Sequence, residues 1–127
     1  MFSSRMTRIA LALALTLAFT VGAANPAFAV TGAARRKVIA TITATAKKSH
    51  VSTANIKALV TLAKRESSYN PKARNGSCKG LFQLKTKASR GKWTNAAWNT
   101  KQAISYVKRR YGSPLKALRH SYRYGWY

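Results

Sequence analysis

The clearest hydrophobic pattern lies in the middle of the chain, where apolar side chains recur at intervals of three and four residues. This spacing predicts an α-helix with one face against a core. Ser52 or Thr53 can cap its start, and Glu66 lies at its end. Glu66 follows Leu59 by seven residues and Leu62 by four, so it falls on or beside the core-facing stripe. The stripe consists of Ile56, Leu59, Val60 and Ala63.

A second periodic segment lies in the last third of the chain. Asn99 or Thr100 is expected to cap this helix, and Gln102, three residues after Asn99, would complete a capping box. Gly112 is expected to end it. Pro114 then begins a short final helix, because proline at the first helical position loses no hydrogen bond. The apolar positions of the two helices are Ala103, Ile104, Val107 and Tyr111, followed by Leu115 and Leu118.

The remaining segments have other patterns. The stretch 68–80 breaks the helical period with Asn-Pro at 70–71 and Asn-Gly at 75–76, and it is predicted to be a loop. Residues 32–48 have a loose helical spacing and many β-branched side chains, so they form either a helix or an extended linker or wall-binding arm. No segment alternates like a strand. The predicted fold class is all-α, with one long functional loop.

The first residues have the pattern of an export signal. Arg5 and Arg8 precede an apolar stretch at residues 9–24, and the small residues before Ala29 suit a cleavage site after it. That stretch is short for a membrane span, and no later segment is apolar enough to act as one. The protein is expected to be secreted, extracellular and associated with the cell wall. The expected division is a signal peptide, a basic N-terminal segment and one domain, at residues 1–29, 30–50 and 51–127.

Positive charge dominates the composition, with 24 Lys and Arg residues against one acidic residue and a formal net charge of +23. Such a field attracts polyanions, and together with export it favours anionic wall polymers. No specific nucleic acid is expected, since no recognition motif is visible. Cys78 is the only cysteine, so no intramolecular disulfide can form. The His, Cys and Glu residues lack metal-ligand spacing, and we expect no metal, no cofactor and a monomer.

Glu66, the single acidic side chain, has a position that suits acid catalysis. Burial at a core-facing helix position raises a carboxyl pKa and lets the group act as an acid. The surrounding positive charge acts against this shift, although solvent and salt screen it. The alternative is an ordinary helix salt bridge between Glu66 and a neighbouring Lys or Arg.

Two long runs of the chain resemble one family. RESSYNPKARNGSCKGLFQL, at residues 65–84, is similar to the opening motif of the goose-type-lysozyme-like (SLT domain) lytic transglycosylases. In that motif Glu-Ser ends a helix and a loop leads to Gly-Leu-Met/Phe-Gln. WTNAAWNTKQAISYVKRRYGSPLKALRHSYRYGWY, at residues 93–127, resembles the later part of short actinobacterial and phage members. The resemblance covers about residues 52–127.

The resemblance implies a small lysozyme-like helical domain that binds peptidoglycan glycan strands in a groove beside Glu66. Ordinary glycosidases use two carboxylates, and this chain has one carboxyl side chain unless the terminal carboxylate of Tyr127 reaches the site. The route attributed to this family needs only one. Glu66 would protonate the bridging oxygen and then help the muramyl C6 hydroxyl close a 1,6-anhydro ring, while the substrate's acetamido group supports the cationic centre. The expected function is therefore a peptidoglycan lytic transglycosylase.

The resemblance also suggests substrate-binding residues. Ser67 and Gln83 would orient the sugar or the transition state, or Ser67 binds its own helix backbone. Gly80 would let the backbone pass close to substrate, or it is a simple loop glycine. His120 or the nearby Tyr122 would cover the sugar ring, or His120 is a surface residue. The three tryptophans are expected to be mainly core, with at most one or two aromatic residues in the groove.

The chain departs from the family pattern at two places. Asn95-Ala96 stands where Asp-Pro is frequent. Leu115 stands near the place where some relatives have a cysteine that could pair with one near Cys78, which makes Cys78 a free thiol or a dimer link.

Two other functions fit parts of the sequence. A non-catalytic cationic protein could bind or kill bacteria by charge and keep the lysozyme-like scaffold for wall recognition, with Glu66 dispensable. Extracellular DNA binding has only the charge in its favour.

Overall fold

The computed structural model of the chain describes residues 30–127. The predicted signal peptide lies outside these residues. The described part is mostly helical, which confirms the all-α fold class. Its helices are α1 Gly32–Lys48, α2 Thr53–Ser67, α3 Arg90–Trp93, α4 Ala96–Tyr111 and α5 Pro114–Tyr124.

The basic N-terminal segment forms a helix and not an extended linker. The Thr31 hydroxyl caps α1 by accepting a hydrogen bond from the Ala34 amide at 3.1 Å. Val38 and Ile42 are buried where α1 packs against α2 and α4. The segment therefore contributes to the core of the domain.

The start of α2, the end of α4 and the start of α5 agree with the sequence pattern. Ser52 caps α2, and its Oγ lies 3.4 Å from the Asn55 amide nitrogen. Gly112 ends α4, and Pro114 is the first residue of α5. α5 packs along α2, so the end of α2 is held close to the C-terminal part of the chain.

The start of α4 differs from the prediction. The helix begins at Ala96 and is capped by Asn95, whose Oδ1 accepts a hydrogen bond from the Trp98 amide at 2.9 Å. Asn99 and Thr100, predicted as caps, are buried inside the helix. The prediction was wrong because two asparagines four residues apart both suit a cap, and the hydrophobic pattern does not choose between them.

A small antiparallel sheet occupies part of the region predicted as a loop. Its strands are β1 Arg74–Asn75, β2 Cys78–Lys79 and β3 Leu84–Lys85, in the order β1-β2-β3. The sequence shows no strand pattern here because two residues are too few for an alternation. Gly76, with φ of +59°, turns the chain between β1 and β2, where the Asn-Gly signal predicted a turn.

The core lies where the long helices meet the segment after β2. Leu81 and Phe82 from that segment are completely buried, and so are the largest helical core side chains. Those side chains are Ile42, Leu59, Leu62 and Val107. Between residues 30 and 127, no helix is both long enough and apolar enough to cross a bilayer.

Candidate active site

Glu66 lies in the last turn of α2 with only 9% of its surface exposed. The helical stripe through Leu59 and Leu62 continues to this position, as the spacing predicted. α2 ends directly afterwards because Ser68 adopts a left-handed backbone conformation, with φ of +49°. The chain therefore leaves the helix just past Glu66, and the carboxyl group lines a cavity of about 190 Å³.

Burial raises the pKa of Glu66 from 4.5 to about 7, and the charge of Arg65 opposes this shift only in part. Arg65 is engaged on α5, where its Nε donates to Ser121 Oγ at 2.9 Å and its guanidinium lies 4.4 Å from the Tyr122 ring centroid. Residues 30–127 contain no ion pair to the Glu66 carboxylate. Glu66 is thus a buried acid that titrates near neutral pH, and not a member of a helix salt bridge.

One wall of the cavity is a single stripe of α4. Trp98, Gln102, Tyr106 and Arg109 all line it, and their spacing of four, four and three residues places them on one face of the helix. At 1.5 Å per residue, this stripe is about 16 Å long from Trp98 to Arg109. The wall is therefore a groove side longer than a single sugar ring.

Gln83 also lines the cavity and is held in an unusual conformation. Its φ is +50°, in the left-handed region that residues other than glycine rarely adopt. Its Nε2 donates to the carbonyl oxygens of Ala73 at 3.0 Å and Gly80 at 2.9 Å. Since these carbonyls accept hydrogen bonds, they fix which end of the amide is the donor.

The other end of the Gln83 amide is unsatisfied. Its Oε1 is buried and has no hydrogen-bond partner within residues 30–127. The same is true of the Trp126 Nε1 donor, and both side chains line the cavity that contains Glu66. Buried polar groups are seldom left unpaired, so these two side chains in the lining of one cavity are the candidate contacts for a polar ligand.

The backbone beside Gln83 is fixed from two directions. The Phe82 amide donates to Asn99 Oδ1 of α4 at 2.8 Å. The Tyr127 hydroxyl donates to the Phe82 carbonyl oxygen at 2.6 Å. Burial raises the pKa of Tyr127 well above 10, and the nearby Glu66 adds to the shift, so this hydroxyl stays protonated and remains a donor. These contacts explain how the left-handed Gln83 is maintained.

The other predicted binding residues are not part of the lining of this cavity. The Ser67 hydroxyl is buried and donates to the Ala63 carbonyl oxygen at 3.0 Å, which is the backbone contact considered as its alternative. Gly80, with φ of +82°, approaches Asn99 and Trp93, and a Cβ built on it would lie 2.5 Å from Asn99 Nδ2. Its close contacts are therefore within the protein.

His120 and Tyr122 belong to α5 and do not line the cavity. His120 Nδ1 is 2.8 Å from the Trp126 carbonyl oxygen, and its ring packs 4.5 Å from the centroids of Tyr124 and Trp126. His120 thus contacts Trp126, which lines the cavity, but His120 is not part of the lining. Tyr122 is 60% exposed and also lies outside the cavity lining. Substrate binding by these residues stays a prediction.

Several lining residues were not predicted from the sequence. Tyr106 and Arg109 belong to an α4 stripe beside the apolar one, and their three-residue spacing from each other is the signal that could have grouped them. Lys85 and Tyr127 come from separate segments and carry no local signal. Two of the three tryptophans, Trp93 and Trp126, are buried. Four aromatic residues line the cavity, so the expectation of at most one or two was wrong; they are Trp98, Tyr106, Trp126 and Tyr127.

No family model, curated protein or solved structure matches this chain. Among the described residues, no three His, Cys, Asp or Glu side chains lie close enough together to hold a metal ion.

Proposed function

We propose that this protein is a peptidoglycan lytic transglycosylase that cleaves the bond between N-acetylmuramyl and N-acetylglucosamine residues. The observation that carries the proposal is Glu66, a buried carboxyl with a pKa of about 7, lining a groove with unpaired polar groups. An acid with a pKa near the working pH is suited to protonate a leaving group and to take a proton back. The resemblance at residues 65–84 and 93–127 supplies the substrate class.

The single acidic side chain limits the mechanism. Inverting and retaining glycosidases use two carboxyl groups, one as acid and one as base or nucleophile. Glu66 is the only Asp or Glu in the sequence, so one side chain performs both proton transfers unless the terminal carboxylate of Tyr127, a residue that lines the same cavity, takes part. This favours intramolecular ring closure, in which the substrate provides its own nucleophile, over hydrolysis.

Protonated Glu66 donates its proton to the glycosidic oxygen as the bond from muramyl C1 to that oxygen breaks. The oxygen of the substrate's acetamido group stabilises the positive charge that develops at C1. The Glu66 carboxylate then accepts the proton of the C6 hydroxyl as this oxygen attacks C1, which closes the 1,6-anhydro ring and regenerates the acid. In this scheme Gln83 Oε1 accepts a hydrogen bond from a substrate N–H, and Trp126 Nε1 donates one to a substrate oxygen.

The test is digestion of purified sacculi, with products analysed by mass spectrometry. The wild-type protein is expected to release fragments with 1,6-anhydromuramyl ends. Glu66→Gln should lower the rate by a factor of about 10² to 10⁴, the usual contribution of general acid–base catalysis. Lys64→Gln, at an exposed position of the same helix, is the control and should keep the wild-type rate.

Two results would contradict the proposal. Products with reducing ends would show hydrolysis, and a water-activating base other than a second carboxylate would then be needed. An absence of cleavage by folded protein would exclude the enzyme altogether.

A second candidate function is charge-driven, non-catalytic wall binding, and one surface favours it. The outer face of α5, defined here as Arg119, Tyr122, Arg123 and Tyr124 together with Arg65 of the adjoining α2, combines exposed cations with exposed tyrosines. The Arg123 guanidinium lies 5.4 Å from the Tyr124 ring centroid, and Tyr124 is 46% exposed. If Glu66→Gln keeps full wall binding and antibacterial effect while high salt removes both, this second function is the correct one.

A further inference from the structure

The groove beside Glu66 has a chemically distinct end. Trp98 lies at one end of the α4 wall and Arg109 at the other, about 16 Å apart along the helix. The side chains between them, Gln102 and Tyr106, are uncharged. A ligand that lies along this wall therefore meets an aromatic ring at one end and a cation at the other.

We propose that Arg109 binds a carboxylate carried by the muramyl substituent of the glycan, an inference that rests on the proposed function. N-acetylglucosamine has no charged group, whereas the muramyl unit has a lactyl substituent whose acid is either free or joined to a stem peptide. A cation at a fixed distance from the reacting bond can therefore distinguish the two sugars of the alternating strand. Arg109 is then a specificity-determining residue.

The local geometry leaves the guanidinium available to such a ligand. Arg109 Nε donates to the Ser105 carbonyl oxygen at 3.3 Å, which directs the side chain along its own helix. The terminal nitrogens form a fork that suits the two oxygens of a carboxylate. The side chain is exposed at the cavity rim, so a ligand reaches it without displacing any part of the fold.

The charge balance gives the same indication. Glu66 is the only acidic side chain of the chain and makes no ion pair within residues 30–127, so no side-chain carboxylate occupies Arg109. Lys85, on β3, adds a second cation to the cavity lining. Since Glu66 is the only Asp or Glu in the sequence, these two cations favour a carboxylate brought in by the ligand.

The alternative explanation is that Arg109 acts only through the overall positive field, which a chain with 24 basic residues cannot avoid. Lys108 provides the matched control. It is the preceding residue of the same helix, it is exposed, and it does not line the cavity. Lys108→Gln and Arg109→Gln remove the same charge from nearly the same place, so only a specific contact separates them.

Binding is measured by calorimetry on the Glu66→Gln protein, so that cleavage does not interfere. Three forms of one glycan preparation are compared: strands with stem peptides, strands stripped by an amidase to free lactyl acids, and stripped strands whose acids are converted to methylamides. The stripped strands should bind about five-fold more tightly than the methylamidated ones, in line with one partly exposed ion pair. Arg109→Gln should remove this preference, Arg109→Lys should keep part of it, and Lys108→Gln should keep all of it.

The peptide-bearing strands identify the source of the carboxylate. If they bind as tightly as the stripped strands and lose affinity with Arg109→Gln, the acid groups of the stem peptide also serve. If they bind like the methylamidated strands, only the free lactyl acid serves, and the preferred substrate is a product of amidase action. Either result supports Arg109 as the carboxylate site.

Three outcomes would overturn the inference: equal affinity for free and methylamidated strands, equal losses with Arg109→Gln and Lys108→Gln, or no measurable binding of any form. Failure of the proposed function is recognised separately. Tight, Arg109-dependent binding without cleavage of sacculi by the wild-type protein would exclude the enzyme and leave the carboxylate site in place.

Discussion

The groove beside Glu66 and the outer face of α5 differ in how deeply their polar groups are buried. In the groove, Glu66 and Gln83 are almost fully buried, and one is shifted in pKa while the other lacks a partner for its oxygen. On the outer face, Arg65 and Tyr122 contact each other at the surface, and Tyr122 is mostly exposed. The difference teaches that burial, and not residue type, makes a polar group energetically costly and chemically useful.

This comparison predicts that changes on the groove side alter stability strongly, whereas changes on the outer face alter it little. Four substitutions test it.

Gly80→Ala should have the largest effect on folding, because a side chain at this position, three residues before Gln83, has no room. A Cβ at this position would lie 2.5 Å from Asn99 Nδ2 and 2.7 Å from the Trp93 carbonyl oxygen, and φ is +82°. Overpacking and a left-handed alanine together should lower the free energy of unfolding by about 4 kcal/mol, as measured by urea denaturation. Gly76→Ala is the control, since its φ is +59° but no atom lies within 4 Å of the new Cβ. It should cost about 1 kcal/mol, and equal losses at the two glycines would refute the crowding argument.

Glu66→Gln should change the pH dependence of stability. Folding raises the pKa of Glu66 from 4.5 to about 7, so the folded state binds the proton more tightly. The resulting stabilisation is fully present below pH 4.5 and is lost as the pH rises from 4.5 to 7, by about 3 kcal/mol in total. The glutamine variant lacks this loss, so it should match the wild type at pH 4 and exceed it by about 3 kcal/mol at pH 8. Parallel stability curves for the two proteins would show that Glu66 is not buried as described.

The same pKa makes the stability and the cleavage rate of the wild-type protein decline over the same pH range. Glu66 must be protonated to act as an acid, so cleavage should decline as the pH rises through about 7. The variant that is more stable at pH 8 should be the one that does not cleave.

The position of Glu66 could be predicted from the sequence, whereas most of its surroundings could not. Helical periodicity is local, so the stripe through Leu59 and Leu62 was enough to place Glu66 against the core. The role of Asn99 is not local. Its side chain binds the Phe82 amide, 17 residues earlier, and no pattern within the helix indicates that it is used there instead of as a cap.

The α4 wall shows the same limit. The apolar positions of α4 identify its core face, but the adjacent stripe with Tyr106 and Arg109 becomes part of a cavity only because β3 and the C-terminal residues contribute to the same lining. Which part of a helix surface is covered depends on tertiary packing, and strands of two residues leave no pattern from which to infer that packing.

Tyr127→Phe should have a moderate effect on the groove side. It removes the hydroxyl that donates to the Phe82 carbonyl oxygen at 2.6 Å and leaves that acceptor without this partner. We expect a loss of about 1 to 2 kcal/mol in the free energy of unfolding, together with slower cleavage of sacculi, because the backbone before Gln83 loses a constraint. Tyr124→Phe, at an exposed position, should change neither quantity. If the two variants behave alike, the Tyr127 hydrogen bond does not support the site.

Tyr122→Ala should have the smallest effect on folding, and it tests the outer face of α5 in place of the groove. The ring is mostly exposed and lies against the Arg65 guanidinium. Such a cation–π contact contributes about 0.5 kcal/mol at the surface. The stability of the variant and its pH dependence should therefore stay close to those of the wild type. Binding to sacculi should keep the salt dependence of the wild type, because the substitution removes no charge from the outer face. A large fall in cleavage with unchanged sacculus binding would instead make Tyr122 part of the substrate site, as the sequence predicted, and would require the glycan to extend from the groove onto α5.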